Sequence, residues 1–417
     1  MKKSTIYFTS ILLYVTSVVL FESCSKETKE LTGPLPAEVA VLEANGLNVG
    51  TAVVDITPEN PININLEGYG GTGRTSTGVH DPLTARCLFL YNEKTSVVIV
   101  SLDLIGVFKK HIDDMKKMIA YETGVKNENI FIHSIHTHSG PEMLGDDSKN
   151  IRYRSQLYRN VTDCILNAIK SGKKATAVIS LGNSQVKTVN RRNPAKQVTN
   201  PFTTIEFLDS AHQNISTLLS FGCHPVVLGP DSYKISADYV YYLRNKIETS
   251  KGGVAIFVNS RFGDINPPSM IGKNAYDRSG GTFEMAQELG EQLAIDMLQL
   301  TSVKDTLSIS ISTVTKSIGN LLGKFTQISI LNLGQIQIAM IPGEPLEGFD
   351  EKIEALLPGP YKMSIGQTGD AIGYIIPEEE WNKCNNSFMP SCYEETISAG
   401  ITTAGKLEAG YIELLEQ

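Results

Sequence analysis

The sequence lacks internal repeats, and it has no low-complexity linker after residue 45. It also lacks an excess of basic side chains, because 45 acidic residues outnumber 37 basic ones and the formal net charge is -8. Nucleic-acid binding depends on cationic side chains that neutralise phosphates, so this balance argues against a nucleic-acid partner. The absence of repeats and linkers predicts one large domain over residues 46–417.

The apolar run near the N-terminus, residues 6–21, is too short and wrongly flanked for a lasting membrane span. Two lysines precede it, and Ser23-Cys24 follows it, as in the leader of a bacterial lipoprotein. We therefore predict a lipoprotein signal peptide over residues 1–23, acylation of Cys24 and a flexible tether over residues 24–45. This interpretation predicts export to the cell envelope, on its periplasmic face or at the cell surface. A simple secretory leader that is cleaved nearby is the alternative.

Five cysteines remain when one is assigned to lipid attachment. Cys384 and Cys392 flank a short polar loop that a disulfide could close in an oxidising compartment. The other three lie in apolar surroundings, which favours buried small hydrophobic side chains over reactive thiols. These three are Cys87, Cys164 and Cys223.

Alternating apolar and amphipathic runs predict an α/β fold. A strand is predicted for the apolar run 95–104, and a crossover helix for the amphipathic run 109–121. A second strand is predicted for the apolar run that starts at residue 130. Helices are also predicted over 153–170 and 280–298. Because several strands follow one another without a helix, we expect mixed sheets. The predicted strands are 175–181, 202–208, 215–221, 254–258, 309–315, 325–331 and 335–341.

Polar residues follow the two strands of the predicted crossover unit. Asp103 ends the first strand, and a histidine-rich segment at residues 133–138 ends the second, which makes both candidates for chemistry. His136 and His138 form a His-x-His pair, whose side chains point to one side of an extended chain. Neutral imidazole is the commonest protein ligand for zinc, so one ring is predicted to bind metal while the other faces substrate. The alternative is a pair that only hydrogen-bonds to a loop.

Ordered sequence blocks resemble those of the neutral/alkaline ceramidase family. They run in the family's order from residue 48 to about 400, and the ordered set is more specific than any one block. The blocks are Val49–Pro58, Gly68–Gly70, Val79–Leu83, Ser101–Asp103, His136–Pro141, Gly222–Pro225, Ile235–Tyr239, Asn259–Pro267, Ile341–Glu344 and Gly373–Tyr374. The resemblance implies two stacked sheets flanked by helices, in a single catalytic domain.

The resemblance also implies one catalytic zinc ion per chain, with ligands from four separate blocks. These ligands are His136, His224, Glu344 and Tyr374. Two neutral imidazoles and a carboxylate are a familiar set for catalytic zinc, whereas tyrosine is an unusual ligand because its phenol ionises near pH 10. The alternatives are that Glu344 begins a helix and that Tyr374 is a core aromatic.

Two further residues take catalytic roles under the resemblance. His138 would face the scissile group and Arg191 would lie at the reaction centre, so that both stabilise the oxyanion formed when metal-activated water attacks an amide. Arg192 is the reserve candidate, and solvated surface charge is the alternative for both arginines. The Tyr393-Glu394 pair resembles a family segment that lines the pocket.

Two departures from the family pattern bear on the chemistry. Asn266 occupies a position where the family often has serine, so a serine nucleophile is impossible there and metal-activated water is expected instead. Family members carry a further β-rich domain after the catalytic one, whereas this sequence ends at Gln417. Extraction of ceramide from a membrane is therefore expected to differ.

The resemblance implies zinc-dependent hydrolysis of the amide bond in ceramide or a similar N-acyl lipid. The expected partners are that lipid and the membrane, reached through acylated Cys24, with no obligate protein partner. The same fold could instead hydrolyse a soluble amide or ester, because acyl-chain recognition depends on pocket shape. A non-catalytic surface lipoprotein that binds lipid or glycan is a further alternative, although the intact ligand set argues against it.

Overall fold

The described part of the chain contains two main β-sheets that stack on one another, with helices on both outer faces. A computed structural model describes residues 46–70, 73–143, 148–270, 280–299, 304–308, 310–321, 323–384 and 392–417. All of them belong to one compact unit, Gly33–Gln417. The predicted signal peptide, Cys24 and the tether lie outside the described residues, and the predicted domain bounds stay a prediction. Within the described ranges, no helix combines the length and the apolar character needed to cross a membrane.

Strands and helices follow the apolar and amphipathic runs of the sequence, and every predicted one is present with shifted ends. The strands are β1 (Leu47–Asp55), β2 (Gly78–Val79), β3 (Thr84–Tyr91), β4 (Ser96–Leu102), β5 (Ile130–Ser134), β6 (Lys173–Asn183), β7 (Val189–Asn190), β8 (Pro201–Leu208), β9 (Asn214–Phe221), β10 (Lys234–Ile235), β11 (Val254–Asn259), β12 (Ile265–Asn266), β13 (Lys304–Leu307), β14 (Ile311–Leu321), β15 (Lys324–Leu333), β16 (Ile336–Met340), β17 (Glu344–Pro345), β18 (Tyr361–Ile365) and β19 (Tyr374–Ile375). The helices are α1 (Lys109–Thr123), α2 (Ser148–Lys170), α3 (Tyr239–Lys251), α4 (Phe283–Leu298), α5 (Glu347–Leu356), α6 (Tyr393–Ile397) and α7 (Thr403–Leu415).

The larger sheet is mixed, as the sequence predicts. Its strand order is β11-β9-β8-β6-β1-β3-β4-β5, and β13 pairs with β6 beside this path. The pairs β4·β5 and β9·β11 are parallel, whereas the strands between them pair antiparallel. Parallel neighbours need a crossover connection, and the helices α1 and α3 lie in these two connections. The sheet therefore has one crossover unit towards each of its two ends.

The smaller sheet, with the order β14-β15-β16-β18, stacks on the larger one. Because side chains alternate along a strand, β4 supplies both faces of its sheet. Val97 and Ile99 belong to the apolar core shared with the smaller sheet, and Val98 and Val100 belong to the core beneath helices α1 to α4. Helices α5 and α7 cover the outer face of the smaller sheet. The predicted arrangement of two stacked sheets flanked by helices is confirmed.

The larger sheet curls until its two edge strands, β11 and β5, meet. The backbone N–H of Asn259 at the end of β11 donates to Nε2 of His133 in β5, over 3.3 Å. The Asn259 side-chain amide also donates to the carbonyl of Ile135. In the next strand, the Ser101 hydroxyl donates to the carbonyl of Phe257 at 2.6 Å. As a result, the loops that follow β5 and β9 open at the same place.

Candidate metal centre

Three histidines meet where the loops after β5 and β9 come together. His136 and His138 follow β5, His224 follows β9, and one nitrogen from each ring lies within 4.8 Å of the others. The His136 ring centroid is 4.9 Å from that of His138 and 4.9 Å from that of His224. Oε2 of Glu344 lies 3.3 Å from Nε2 of His136 and 3.3 Å from Nε2 of His224. These are the residue types and spacings of a site that can hold a metal ion.

Backbone carbonyls hold the second ring nitrogen of two of these histidines. Nδ1 of His136 donates to the carbonyl of Ile105 at 2.7 Å, and Nδ1 of His224 donates to the carbonyl of Phe262 at 2.7 Å. Each neutral ring then keeps its lone pair on Nε2, the arrangement that supports metal-binding histidines. Burial, together with the nearby charge of Arg191, lowers the pKa of His224 to about 4. His224 is therefore neutral at neutral pH.

Lone pairs face one another at the centre of this cluster. Nε2 of His224 and Oε2 of Glu344 are buried, and neither finds a hydrogen-bond partner among the residues that the structure describes. Both atoms are acceptors once Nδ1 of the ring carries the only proton, so their approach to 3.3 Å is favourable when a proton or a metal cation lies between them. Donors bound tetrahedrally to zinc at about 2.0–2.1 Å lie about 3.3 Å apart. The cluster therefore fits zinc.

His136 has an unusual backbone conformation. Its φ is 72°, in the left-handed region that costs a residue with a side chain about 1 kcal/mol or more. The His136 N–H donates to the carbonyl of Leu104 at 2.9 Å, and the side-chain amide nitrogen of Gln367 lies 3.3 Å from its Nδ1. The surrounding chain thus holds the ring in place despite the strain.

Glu344 and Tyr374 are partners in the short parallel ladder of β17 with β19. Both side chains are buried, and the Glu344 N–H donates to the carbonyl of Gly373 at 2.9 Å. The Tyr374 ring centroid lies 6.4 Å from that of His224. Burial raises the pKa of Tyr374 well above its ordinary value, so the phenol keeps its proton unless a cation is bound. Glu344 precedes helix α5 by three residues, so it does not begin that helix.

His138 has two ring nitrogens without a hydrogen-bond partner in the described ranges. Burial, together with His136 and His224, lowers the pKa of His138 well below its ordinary value, so the ring is neutral. Gly68 lies against it with φ 102°, and a Cβ there would be 2.6 Å from Nδ1 of His138. Only glycine fits that position. The His138 ring is also close enough to His136 and His224 to bind the same metal ion. Its substrate-facing role therefore stays a prediction.

The two candidate arginines are buried, and the interpretation of both as solvated surface charges is wrong. Arg191 is 8% exposed and Arg192 is 3% exposed. The Glu394 carboxylate accepts from Nε of Arg191 at 2.8 Å and from Nη1 of Arg192 at 2.9 Å. The guanidinium carbon of Arg191 lies 4.9 Å from the Tyr374 ring centroid, and its Nη2 has no partner among the described residues. Arg192 is occupied by Glu394 and Glu395, whereas Arg191 keeps, within the described residues, a donor beside the Tyr374 phenol.

Residues 47–291, more than half of the chain, match the family model of the neutral/alkaline non-lysosomal ceramidase, N-terminal. The chain belongs to this ceramidase family. The predicted resemblance is therefore confirmed, and the match spans β1 to most of α4, including His136, His138, Arg191 and His224.

Named ceramidases are similar to this chain in sequence and in fold. Neutral ceramidase A of Dictyostelium discoideum is 23% identical over 306 residues, which cover 64% of this chain and 41% of that protein. Neutral ceramidase of Drosophila melanogaster is 23% identical over 256 residues, covering 53% and 36%. The crystal structure of neutral ceramidase from Pseudomonas aeruginosa shares the fold, with a TM-score of 0.74, 15% identity and coverage of 89% of this chain and 74% of that one. The chain thus spans about two fifths of the length of the first two relatives.

The candidate metal cluster of this ceramidase-family chain borders a cavity of about 490 Å³. His136, His138, Glu344 and Tyr374 line it, and His224 lies behind the lining. Much of the remaining wall is apolar, and some of its side chains reach the surface, with Phe325 69% exposed. The apolar lining includes Ile105, Phe108, Leu321, Phe325, Ile372 and Ile397.

A disulfide joins Cys384 to Cys392, as the sequence allowed, while residues 385–391 lie outside the described residues. Helix α6 begins directly after Cys392. It brings Tyr393 and Ile397 to the cavity, whereas Glu394, the second residue of the predicted pocket-lining pair, is buried against Arg191 and Arg192 instead. The other cysteines predicted to be buried are buried, namely Cys87, Cys164 and Cys223.

Two polar residues singled out in the sequence lie away from the cavity. Asp103 accepts from both terminal nitrogens of Arg244, at 2.6 and 2.8 Å, and from the N–H and hydroxyl of Thr84. Its predicted part in the chemistry is wrong, because this buried ion pair uses its oxygens to join the sheet to α3. Asn266 is buried in β12, whose pairing with β7 positions the neighbouring Arg191.

Two residues of this region were given no specific role from the sequence. His133 donates from Nδ1 to the carbonyl of Gly366 at 2.7 Å and accepts at Nε2 from Asn259, so it joins three segments. Burial lowers its pKa to about 3, which keeps the ring neutral. The sequence signal for this structural role was that His133 lies inside the strand, whereas His136 and His138 follow it. Glu67 lines the cavity, and a single carboxylate in a loop gives no pattern to detect.

Proposed function

We propose that this chain is a zinc-dependent hydrolase that cleaves the amide bond of ceramide or a similar N-acyl lipid. The observation that carries the proposal is the meeting of lone pairs from His136, His224 and Glu344 beside a largely apolar cavity. Membership of the ceramidase family supports this reaction class, and a solved ceramidase complexed with C2 shares the fold with a TM-score of 0.75 at 14% identity. A preformed apolar cavity with a few polar groups is typical of small-molecule sites.

The residues that would hold zinc are His136, His224 and Glu344, with Tyr374 as a fourth ligand. Two imidazoles and one carboxylate suit zinc, whereas magnesium and calcium prefer oxygen ligands alone. Bound zinc supplies a Lewis acid that activates water and stabilises developing negative charge.

The chain itself supplies the groups around the reacting amide. Neutral His138 offers one N–H donor and one acceptor nitrogen, so it can take a proton from water and return it to the leaving nitrogen. Arg191 stays charged, and its free Nη2 can donate to the oxyanion or to the oxygen of Tyr374. The Arg191–Glu394 ion pair fixes the direction of that donor. Apolar side chains around the cavity would hold the acyl chain and exclude water.

Zinc content and acyl release test this proposal. We expect about one zinc per chain by mass spectrometry, and release of fatty acid when purified protein is given ceramides. Chelation should abolish turnover, and added zinc should restore it. A panel of soluble N-acyl compounds and esters belongs in the same screen, because turnover of those compounds alone would establish the soluble-substrate alternative. Turnover that survives complete zinc removal would contradict the metal-dependent reaction.

We also propose that the chain is exported and held at a membrane through acylated Cys24. The leader pattern that ends in Ser23-Cys24 supports this. Expression in a bacterial host with labelled palmitate should label the wild type and leave Cys24→Ser unlabelled and in the soluble fraction. Equal labelling of the two proteins would contradict it.

A further inference from the structure

The His138 ring is held by packing, whereas hydrogen bonds hold the other two histidines of the cluster. Nδ1 of His136 and Nδ1 of His224 each donate to a backbone carbonyl at 2.7 Å. Neither ring nitrogen of His138 has a hydrogen-bond partner in the described part of the chain. Gly68 and the Tyr69 ring lie against it, the latter with 4.8 Å between the ring centroids. A group that transfers protons needs a fixed geometry, so the neighbours of His138 decide whether it has one.

Arg74 holds the backbone of His138. The arginine side chain is buried, and its guanidinium donates to three backbone carbonyls from separate segments. Nη2 donates to the carbonyl of His138 and, at 2.9 Å, to that of Glu67, while Nη1 donates to that of Ser232 at 2.8 Å. The Arg74 carbonyl itself accepts from the N–H of Leu66 at 2.9 Å. Because the guanidinium is a rigid planar fork, it fixes these segments relative to one another.

Arg74 also holds the residue that contacts the His138 ring. Its guanidinium carbon lies 4.8 Å from the centroid of the Tyr69 ring, a distance at which a cation and an aromatic face attract each other. Tyr69 has a φ of 54°, in the left-handed region that is costly for a residue with a side chain, so its conformation depends on such contacts. The Tyr69 ring in turn meets the His138 ring at an angle of 66°. One guanidinium therefore reaches His138 twice, through the backbone carbonyl and through Tyr69.

We propose that Arg74 is a positioning residue that sets the His138 ring in the orientation needed for proton transfer. The inference rests on the proposed function of His138 and adds the residue that keeps it in place. Arg74 is not among the described residues that line the cavity, so its effect on the reaction passes through His138. Displacement of a catalytic group by about 1 Å can cost about 100-fold in rate. Loss of Arg74 should therefore lower kcat and leave KM nearly unchanged.

Kinetics of Arg74→Met test this role. In folded, zinc-loaded protein, kcat should fall about 10- to 100-fold, KM should change less than about threefold, and zinc content should stay at the wild-type level. Arg74→Lys keeps the charge and donors for some of the carbonyls, so it should recover part of the loss. The lysine variant replaces the methionine variant if that protein does not fold. An unchanged kcat, or a loss confined to KM, would overturn the proposal.

A double-mutant cycle separates positioning from general stabilisation. In the His138→Ala background, Arg74→Met should lower kcat by less than about a further twofold, because the residue through which Arg74 acts is gone. Equal losses in the two backgrounds would overturn the proposal.

Arg86→Met is the matched control for loss of a buried arginine. Nη1 of Arg86 donates to the carbonyl of Ala255 at 3.0 Å, and neither residue is among the described residues that line the cavity. This variant should lose stability yet keep kcat within about twofold per folded molecule. A loss of kcat as large as that of Arg74→Met would overturn the assignment to Arg74.

A spectroscopic measurement separates failure of this inference from failure of the proposed function. The chain has seven histidines, so isotope labelling of their rings gives few NMR signals, and the spectrum of His138→Ala identifies that of His138. Arg74→Met should shift or broaden the His138 signal and leave those of His111 and His212 in place. This result would support the positioning role even in a protein that hydrolyses no amide. An unchanged His138 signal would overturn the inference even if amides are hydrolysed.

Discussion

The cavity joins two regions of different construction, a buried region that contains the proposed metal ligands and a partly exposed apolar region. The first is built on the ends of β5 and β9 and on the β17–β19 ladder, where backbone hydrogen bonds fix each side chain. The second takes Phe108 from the residue before α1, Phe325 from β15 and Ile397 from the end of α6, with 39%, 69% and 46% exposure. Catalytic groups must be held in a precise geometry, whereas contacts with an acyl chain tolerate variation. Substitutions in the first region should therefore lower kcat, and substitutions in the second should change the affinity for substrate.

The largest expected effect is loss of a metal ligand from the buried region. His136→Ala or His224→Ala would leave two strong protein ligands, which hold zinc poorly, so both zinc and activity should disappear. Metal analysis of each purified variant decides this. Full zinc occupancy in either variant would show that its histidine is not a ligand.

The next effect separates the two members of the His-x-His pair. His138→Ala should keep its zinc yet lose on the order of 10² to 10⁴ in turnover, the usual span for one acid-base or oxyanion group. Zinc content is measured beside kcat for this variant. A variant without metal would make His138 a ligand, and normal turnover would assign it no catalytic role.

Glu394→Ala should destabilise the buried region without removing a metal ligand. It leaves Arg191 and Arg192 without their shared carboxylate, and uncompensated buried charge costs about 3–5 kcal/mol. Urea unfolding of the zinc-free protein measures the change. The control is Glu413→Ala, which breaks the exposed pair with Lys316 and should cost under about 1 kcal/mol. Similar losses in both variants would refute a special role for the buried pair.

Phe325→Ala should give the smallest effect and define the apolar region. Its loss should raise KM for long acyl chains about fivefold, corresponding to about 1 kcal/mol of apolar contact, with zinc content and kcat unchanged. Short acyl chains should show less change, because they cannot reach this side chain. Tyr121→Ala removes an equally exposed aromatic that does not line the cavity, and it serves as the control. A fall in kcat with unchanged KM would place Phe325 in the reacting region.

Local patterns predicted many of the long elements, whereas β1, β3, α3 and α7 were not predicted from them. β4, α1 and α2 have clear periodicity, and they are present as expected. Helix α7 was not predicted, because Gly405 and Gly410 are poor helix formers. Gly410 lets the helix pack closely on the smaller sheet, since a Cβ there would lie 2.5 Å from Cδ1 of Ile318 in β14 and would displace that side chain. Packing of this kind, which no local pattern shows, favours the helix.

The sequence by itself determined the family, the α/β class and the residue types of the candidate metal centre, because these depend on local periodicity and on ordered blocks. Only the tertiary structure decided which of those residues meet. His136 follows one edge strand of the larger sheet and His224 follows a strand next to the opposite edge, and curling of the sheet brings them together. Curling depends on strand twist and on hydrogen bonds between distant segments, such as His133 with Asn259. The burial of Arg191 likewise depends on residues far away in the chain, so no local pattern could reveal it.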